Sequence, residues 1–172
     1  MIQKKANNVL IRSVSPQDGQ YLWQAAVDSG NLDINSAYCY IMLCKYFSET
    51  CRVAEIDGKV VGFVTAFIQP SNPENLFVWQ IAVNAEHRGK GIAESLLRDL
   101  ISVKMCAKIR YIETTISPSN AASIRLFAKF AQDLHASIVK NDGFPSPLFP
   151  DSKHEDEQLI VIGPIPKIKK VC

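Results

Sequence analysis

The sequence contains little of what marks membrane proteins, secreted proteins and polyanion binders. Its longest strongly apolar stretches, such as residues 60–68 and 159–162, are far shorter than the roughly 20 apolar residues needed to cross a bilayer. Nineteen Lys and Arg stand against seventeen Asp and Glu, a formal net charge of +2 without the basic excess of a nucleic-acid binder. The first residues lack the apolar region and cleavage site of a secretory signal. We therefore expect a cytoplasmic protein with no membrane and no nucleic-acid partner.

The cysteines are not arranged as in a disulfide framework or a metal site. The five cysteines are odd in number and no two are spaced as CxxC: Cys39, Cys44, Cys51, Cys106 and Cys172. The spacing excludes a disulfide framework and a zinc knuckle, and no metal site is predicted. Cys39 and Cys44 fall in an apolar helical pattern and Cys51 opens a strand pattern. We therefore expect small buried hydrophobic side chains and not nucleophiles.

What the sequence does contain is an ordinary globular composition. Its 172 residues fit a single domain, 1–172, since domains usually hold roughly 100–200 residues. Hydrophobic residues make up 47% and charged residues 21%, which is enough apolar material for a sizeable core. The composition therefore predicts one folded domain and excludes a disordered chain.

Hydrophobic periodicity and turn residues divide the chain into strands and helices. The predicted strands are 9–14, 51–56, 59–68, 76–83, 110–116 and 158–163. The predicted helices are 17–29, a second helix that starts within residues 33–36 and ends near residue 47, a third after residue 91, and 121–134. Residues 76–83 are apolar on both faces apart from Gln80, which indicates the central strand of a sheet. Pro70 and Pro73 are expected to break the strand before it, and residues 143–150 to form a loop.

The segment with most chemical information is R-G-K-G-I-A, residues 88–93, between the central strand and a helix. Free N–H groups at a helix N-terminus bind anions, and Gly89 and Gly91 let the backbone approach them closely. Arg88 and Lys90 are interpreted as phosphate ligands, with plain surface bases as the alternative. Glu94 stands at the third glycine position of a Rossmann GxGxxG fingerprint, and a P-loop GxxxxGK[ST] is missing. The segment therefore predicts a pyrophosphate site of another kind.

This motif resembles the Q/R-x-x-G-x-G/A signature of the GNAT acetyltransferases, with Lys90 and Gly91 inside it and Ala93 in the last position. The resemblance implies an α/β (α+β) fold, in which a mixed and mostly antiparallel central sheet is flanked by helices and splayed at the acetyl-CoA site. It also implies that the preceding strand and a later asparagine contact pantetheine while the loop binds the diphosphate. The implied acetyl-CoA ligands are Ile81, Ala82, Val83, Arg88, Gly89, Lys90, Gly91, Ile92, Ala93 and Asn120. A helix cap is the alternative interpretation of Asn120.

A narrower resemblance covers nearly the whole chain. It is carried by LDINSAYCYIMLCKYF, TCRVAEIDGKVVGFV, ENLFVWQIAV, IETTISPSNAASIRLF and HEDEQL. Together these strings are similar to the L-2,4-diaminobutyrate acetyltransferases of ectoine biosynthesis. The resemblance implies acetyl transfer from acetyl-CoA to the 4-amino group of diaminobutyrate, giving the compound later cyclised to ectoine. It also implies a homodimer.

The implied substrate carries two ammonium groups and one carboxylate, so its site needs acids and hydrogen-bond donors. Three segments are predicted to form the substrate pocket: Asp33, Asn35 and Tyr38; Trp79 and Gln80; and His154 and Glu155, in the HEDE run 154–157. An aliphatic amine with a pKa of about 10 must lose a proton before it attacks a thioester. The candidate catalytic proton acceptors are Asp33, His154, Glu155 and Glu157.

These assignments have structural alternatives. Asp33 is equally typical of a helix N-cap, Tyr38 and Trp79 of core aromatics, and residues 154–157 of a solvated charged turn. Phe127 stands where many GNAT enzymes carry the tyrosine that protonates the leaving thiolate, so the general acid is left open. Two rival functions follow: acetylation of another small amine by a GNAT enzyme, and non-catalytic acyl-CoA binding by a regulatory module.

Overall fold

A computed structural model of the chain describes residues 9–30, 32–150 and 154–166. The strands in these residues are β1 Leu10–Ser13, β2 Cys51–Ile56, β3 Lys59–Gln69, β4 Asn72–Val83, β5 Tyr111–Ile116, β6 Ile138–Phe144 and β7 Glu157–Ile162. The α-helices are α1 Gly19–Ser29, α2 Ala37–Tyr46, α3 Ile92–Ser102 and α4 Ala121–Asp133. None of these helices is long and apolar enough to span a bilayer.

The strands form one mixed sheet in the order β1-β2-β3-β4-β5-β7-β6. β4 and β5 run parallel, whereas β1–β2, β2–β3, β5–β7 and β6–β7 are antiparallel. Both the mixed, mostly antiparallel sheet and the central position of the LFVWQIAV strand are thereby confirmed. The chain divides into two compact units. The first takes the residues up to Thr65 and Gln80–Leu100, and the second takes Ala66–Trp79 and the residues from Ile101 onward.

The first unit is built on α1, α2 and the hairpin of β2 and β3. Asp57 and Gly58, with φ of 50° and 77°, form the predicted hairpin turn. Each of these elements contributes a large side chain with no exposed surface to the core: Leu22, Tyr40, Val53 and Phe63. Apolar burial from two helices and two strands therefore fixes the position of α2 on this part of the sheet.

A charged cap starts the first helical segment. Pro16 stands at the first position of a 3-10 turn, Pro16–Asp18, and the Asp18 carboxylate accepts the Ser15 backbone N–H at 2.7 Å. Arg12 donates to both Asp18 oxygens, at 2.8 and 2.9 Å. Burial alone would raise the pKa of Asp18, but the hydrogen bonds from Arg12 and Ser15 outweigh it and lower the pKa. Asp18 is therefore a buried carboxylate held in its charged form.

The two faces of the sheet differ within the second unit. Residues directly opposite in adjacent strands point to the same side, so the strand register identifies each face. One row, exposed by at most 1%, is Leu76, Ile112 and Ile162. The row on the other face is Phe77, Glu113, Val161 and Val139. The first three of these are half-buried and Val139 is 50% exposed, so this second face keeps accessible apolar surface.

Two predictions about strand boundaries were wrong. The turn before β4 is confined to residues 70–71, and β4 begins at Asn72 with Pro73 inside it. A proline is tolerated there because it lies at the start of the strand. Residues 143–150 are not all loop, because β6 runs to Phe144 and pairs with β7. β6 is a polar edge strand whose residues are exposed on both faces, so it lacks the alternation that marks a strand.

Candidate active site

The glycine loop follows the end of β4 in the first unit. Gly89 and Gly91 have φ of 73° and 76°, a left-handed conformation that other residues rarely adopt. A Cβ added to either glycine would meet no atom within 4 Å, so the loop is open on that side. The Gly91 carbonyl accepts the Ser95 N–H at 3.0 Å and thereby begins the hydrogen bonding of α3.

The N-terminus of α3 is directed by its packing. Ile92, the first helical residue, is 3% exposed and anchors this end of the helix in the core. The backbone N–H groups of a helix's first turn have no acceptor within the helix and carry partial positive charge. Ala93 lies in this turn. The predicted diphosphate ligands therefore include N–H groups that the helix itself cannot satisfy.

The two basic side chains of the loop bond to its own backbone. Arg88 Nε donates to the carbonyl of Val83, the last residue of β4, at 3.1 Å. Lys90 Nζ donates to the Glu86 carbonyl at 2.9 Å and lies 3.4 Å from His87 Nδ1. Both cationic side chains are thus bonded to main-chain carbonyls, and the phosphate-binding role of Arg88 and Lys90 stays a prediction.

The strand segment 81–83, predicted to contact pantetheine, lies close to β3. Ala82 is 9% exposed, while Ile81 and Val83 are half-buried. A Cβ added to Gly62 of β3 would lie 2.9 Å from the Ala82 carbonyl oxygen and 3.1 Å from Val83 Cγ2. Only a glycine permits this approach without moving β4. Gly62 therefore sets the position of the predicted acetyl-CoA strand, a role that sequence reasoning missed.

The residues before α2 form the first group predicted to bind the amine. Asp33 and Tyr38 are exposed, Tyr38 by 76%, and Asn35 is half-buried. The interpretation of Asp33 as the helix cap is wrong, because the Ser36 hydroxyl caps α2 by accepting the Cys39 N–H at 3.3 Å. Ser36 stands one residue before the helix, whereas Asp33 precedes it by four. The Asp33 carboxylate is therefore not used as the cap.

Gln80 and Trp79 are adjacent in β4 but belong to different units. Gln80 is 4% exposed, accepts the Tyr40 hydroxyl hydrogen at 2.9 Å and donates to the Asp33 main-chain carbonyl at 2.8 Å. Trp79 is half-buried in the second unit. Sequence reasoning missed Tyr40, although a buried tyrosine hydroxyl needs a partner and Gln80 is the one polar residue of its strand segment.

The acidic segment 154–157 lies in the second unit. His154 Nδ1 donates to the Glu155 carbonyl at 2.7 Å, and its ring stacks on Phe149 with centroids 3.6 Å apart. Because a carbonyl only accepts, the proton of the neutral imidazole sits on Nδ1 and Nε2 is the basic nitrogen. Glu155 Oε2 accepts the Ser119 N–H at 3.1 Å. The interpretation of this segment as a merely solvated turn does not account for these contacts.

Glu157 differs from its neighbour Glu155. It is half-buried at the start of β7. In the described part of the chain, no hydrogen bond or ion pair engages its carboxylate, whereas that of Glu155 accepts a backbone N–H. Glu155 therefore has a backbone contact that Glu157 lacks, and both stay candidate proton acceptors.

Asn120 and Phe127 belong to α4. The Asn120 side chain caps this helix by accepting the Ser123 N–H at 3.1 Å through Oδ1, so the cap interpretation is confirmed. Its predicted pantetheine contact stays a prediction, for which Nδ2 is the donor. Phe127 is 1% exposed and packs in the core. It therefore has neither a proton to donate nor access to a substrate.

The burial predicted for Cys44 and Cys51 is confirmed, and Cys106 is buried as well. Cys39 is only half-buried, and Cys172 lies outside the described residues. Burial, with smaller contributions from Cys51 and Asp18, raises the pKa of Cys44 to about 12. A thiol with so high a pKa is not a nucleophile near neutral pH. Within the described ranges, no three His, Cys, Asp or Glu side chains come together as a metal site would require.

Comparison with known proteins identifies the family. The profile of the Acetyltransferase (GNAT) family matches residues 20–131. An L-2,4-diaminobutyric acid acetyltransferase from Marinococcus halophilus is 42% identical over 94% of this chain and 93% of its own length. The chain belongs to the diaminobutyrate acetyltransferases of the GNAT family. A diaminobutyrate acetyltransferase from Shouchella clausii is 46% identical over 87% of this chain and 83% of its own length.

A solved structure of a diaminobutyrate acetyltransferase agrees with this assignment. The enzyme EctA from Paenibacillus lautus, in complex with its substrate L-2,4-diaminobutyric acid and coenzyme A, is 45% identical to this chain. The TM-score is 0.90, and the match covers 97% of this chain and 100% of that one. The GNAT fold, the acetyltransferase class and the use of acetyl-CoA are therefore confirmed. The roles of individual residues stay predictions.

Proposed function

We propose that this protein transfers the acetyl group of acetyl-CoA to the 4-amino group of L-2,4-diaminobutyrate, in the pathway to ectoine. The observation that carries the proposal is the 45% identity and TM-score of 0.90 to an enzyme in complex with diaminobutyric acid and coenzyme A. The likeness runs over nearly the whole chain, so it includes both the glycine loop and the acidic segment.

The glycine loop fits the diphosphate of acetyl-CoA. Gly89 and Gly91 leave an open backbone, α3 presents N–H groups, and Arg88 and Lys90 supply positive charge. Acetyl-CoA, when bound, supplies a thioester carbonyl as the electrophile. Backbone N–H groups of residues 81–83 are proposed to stabilise the oxyanion that develops on that carbonyl. Asn120 Nδ2 is proposed to contact the pantetheine arm.

In the first unit, the amine is proposed to be bound by Asp33, Asn35, Tyr38 and Gln80; the substrate-binding roles of Trp79, His154 and Glu155 stay predictions from the family resemblance. An exposed carboxylate at Asp33 offers a partner for one ammonium group, and the amide of Asn35 and the hydroxyl of Tyr38 offer donors for the substrate carboxylate. The Asp33 carboxylate does not cap α2, since the Ser36 hydroxyl does so.

Removal of the amine proton is assigned to the acidic segment 154–157. Glu157 is the proposed first acceptor because its carboxylate accepts no donor from the described residues, and His154 Nε2 is the alternative. The neutral amine then attacks the thioester carbonyl, a C–N bond forms, the C–S bond breaks, and the amine nitrogen loses its second proton to water. Coenzyme A departs as thiolate or takes its proton from water, since Phe127 has none to give.

A substrate panel tests the proposed function. Coenzyme A release is measured with L-2,4-diaminobutyrate, putrescine, lysine and a peptide with a free N-terminus. We expect kcat/KM for diaminobutyrate to exceed kcat/KM for each of the other amines by at least about a hundredfold. A substrate that lacks one of its polar groups leaves a buried polar group of the site unpaired, which weakens binding of the transition state. Equal turnover of putrescine or lysine would establish a different amine acetyltransferase. Acetyl-CoA binding without turnover of any amine would establish a non-catalytic acyl-CoA-binding module.

We also propose a homodimer formed through the half-exposed sheet face of the second unit. On this face the rings of Phe67 and Phe77 have centroids 5.3 Å apart, and Val161 and Val139 lie in the same row as Phe77, beyond Glu113. Accessible apolar surface on a sheet face is typical of subunit contacts. Light scattering is expected to give twice the chain mass, and Val139→Asp to weaken the dimer. A monomeric wild-type protein would contradict the proposal. The cytoplasmic location stays a prediction.

A further inference from the structure

Two consecutive hydrogen bonds connect the buried core of the first unit to the loop that carries Asp33. Tyr40 of α2 donates its hydroxyl hydrogen to Gln80 Oε1 at 2.9 Å, and Gln80 Nε2 donates to the Asp33 main-chain carbonyl at 2.8 Å. Tyr40 has no exposed surface and Gln80 is 4% exposed. Water therefore does not compete for the first of these bonds, and the pair acts as a single linkage.

The linkage has one arrangement of donors and acceptors. The Asp33 carbonyl only accepts, so the Gln80 amide must turn its NH2 group toward that carbonyl. Its oxygen then faces Tyr40, whose hydroxyl must donate. The Tyr40 ring is held edge-on to Phe63, with centroids 6.4 Å apart and planes at 83°. The Asp33 carbonyl therefore sets the orientation of the Gln80 amide, and the buried, packed Tyr40 ring sets the position of the hydroxyl that donates to its oxygen.

The loop end of the linkage is the Asp33 main-chain carbonyl. It accepts Gln80 Nε2 at 2.8 Å and, within the loop itself, Asn35 Nδ2 at the longer distance of 3.4 Å. Gln80 lies in β4, so its hydrogen bond connects the Asp33 backbone to the sheet. Gln80 also directly precedes the residues 81–83 predicted to hold the thioester.

We propose that Tyr40 is a positioning residue for the acetyl acceptor. Through Gln80 it fixes the position of the Asp33 backbone relative to the strand segment 81–83. The backbone position in turn determines where the Asp33 carboxylate meets the amine. Tyr40 itself is buried and does not touch the substrate. This inference rests on the proposed function, because it assigns the amine to Asp33.

Tyr40→Phe tests the inference, because it removes the hydroxyl and keeps the ring. The KM for diaminobutyrate is expected to rise about tenfold, since Gln80 Oε1 loses its buried donor and the amide is released. The KM for acetyl-CoA is expected to stay within about twofold. Tyr46→Phe is the matched control: Tyr46 lies on the same helix but is 68% exposed, and its variant is expected to leave both constants unchanged.

A second readout does not depend on activity. Hydrogen exchange of the backbone amides of residues 33–36 is expected to be faster in Tyr40→Phe than in the wild type or in Tyr46→Phe. If Tyr40→Phe does not fold, Gln80→Met, which removes both hydrogen bonds, is measured in its place. Equal effects on the two KM values, unchanged KM for diaminobutyrate, or unchanged exchange would overturn the inference. If the wild type does not acetylate diaminobutyrate, the proposed function fails, and exchange alone decides whether the linkage holds the loop.

Discussion

Two loops of the first unit carry predicted ligands, and they are held in place in opposite ways. Residues 32–36 are fixed by side-chain hydrogen bonds, one from the buried Gln80 to the Asp33 carbonyl and one to the capping Ser36 hydroxyl. Residues 88–91 owe their shape to positive φ at Gly89 and Gly91, with empty space where a Cβ would stand. The first loop is therefore sensitive to the loss of a polar atom, and the second to the gain of a carbon atom.

The largest effect is expected from Gly91→Val. A left-handed conformation costs a non-glycine residue about 1–2 kcal/mol, more for a β-branched side chain, and the added atoms would occupy the open side of the loop. Steady-state kinetics is expected to show the KM for acetyl-CoA raised at least about tenfold, with the KM for diaminobutyrate little changed. A selective rise in the KM for diaminobutyrate would contradict the distinction between the two loops.

Gly58→Val is the matched control for this change. Gly58 has a φ of 77° and empty space at its Cβ, but it lies in the hairpin turn between β2 and β3. The same backbone strain is expected to lower the stability of the protein without changing the KM for acetyl-CoA. If both variants raise that KM equally, strain and not the position of Gly91 explains the effect.

A smaller effect is expected from Gly62→Ala. The new Cβ would lie 2.9 Å from the Ala82 carbonyl oxygen, so β4 must shift at the predicted acetyl-CoA strand. Overpacking of this kind costs about 1–3 kcal/mol in the free energy of unfolding. We expect denaturant unfolding to show this loss and kinetics to show a raised KM for acetyl-CoA. If stability falls but the KM for acetyl-CoA is unchanged, residues 81–83 are not part of the coenzyme site.

Asp18→Asn is expected to lower stability by about 2 kcal/mol at neutral pH, since it weakens charge-assisted hydrogen bonds from Arg12, and to leave both KM values unchanged. The pKa of Asp18 is lowered in the folded protein, so its contribution to stability is complete above the unfolded value of 3.8. That contribution is lost as the pH falls below 3.8 through the lowered pKa. Urea unfolding of both proteins is expected to converge in this range. A stability difference that persists there would contradict the charged state of Asp18.

The smallest effect is expected from Arg88→Gln. Arg88 is exposed, and solvent screens its charge, so its loss is expected to raise the KM for acetyl-CoA only about threefold. Because the interaction is electrostatic, the difference from the wild type should shrink as salt is added. A salt-independent difference in KM would indicate that the Nε contact with the Val83 carbonyl matters more than the charge.

Local signals in the sequence were sufficient for much of the fold. The Asp57-Gly58 pair predicted the hairpin, and the apolar run around Gln80 predicted the central strand. The edge strand β6 escaped prediction because its exposed residues do not alternate and Gly143 resembles a loop residue. A Cβ at Gly143 would collide with the Glu157 carbonyl, so this glycine permits close strand pairing instead.

The candidate site was predictable only where its signal is local. The loop glycines and the α3 N-terminus are adjacent in sequence, and their geometry followed from them. Hydrogen bonds between distant residues, such as Gln80 to the Asp33 carbonyl and Ser119 to Glu155, carry no local signal. Asp33 was left open between a helix cap and a substrate ligand because aspartate and serine both cap helices. Ser36 is the cap of α2 because it directly precedes the first helical residue.

The central claim is tested most directly by identifying the nitrogen that receives the acetyl group. The product of wild-type protein, acetyl-CoA and L-2,4-diaminobutyrate is analysed by two-dimensional NMR, which correlates the new amide proton with its neighbouring carbon. The account predicts acetylation at the 4-amino group alone, with one coenzyme A released per product. Acetylation at the 2-amino group, a mixture of both isomers, or no product despite bound acetyl-CoA would contradict it.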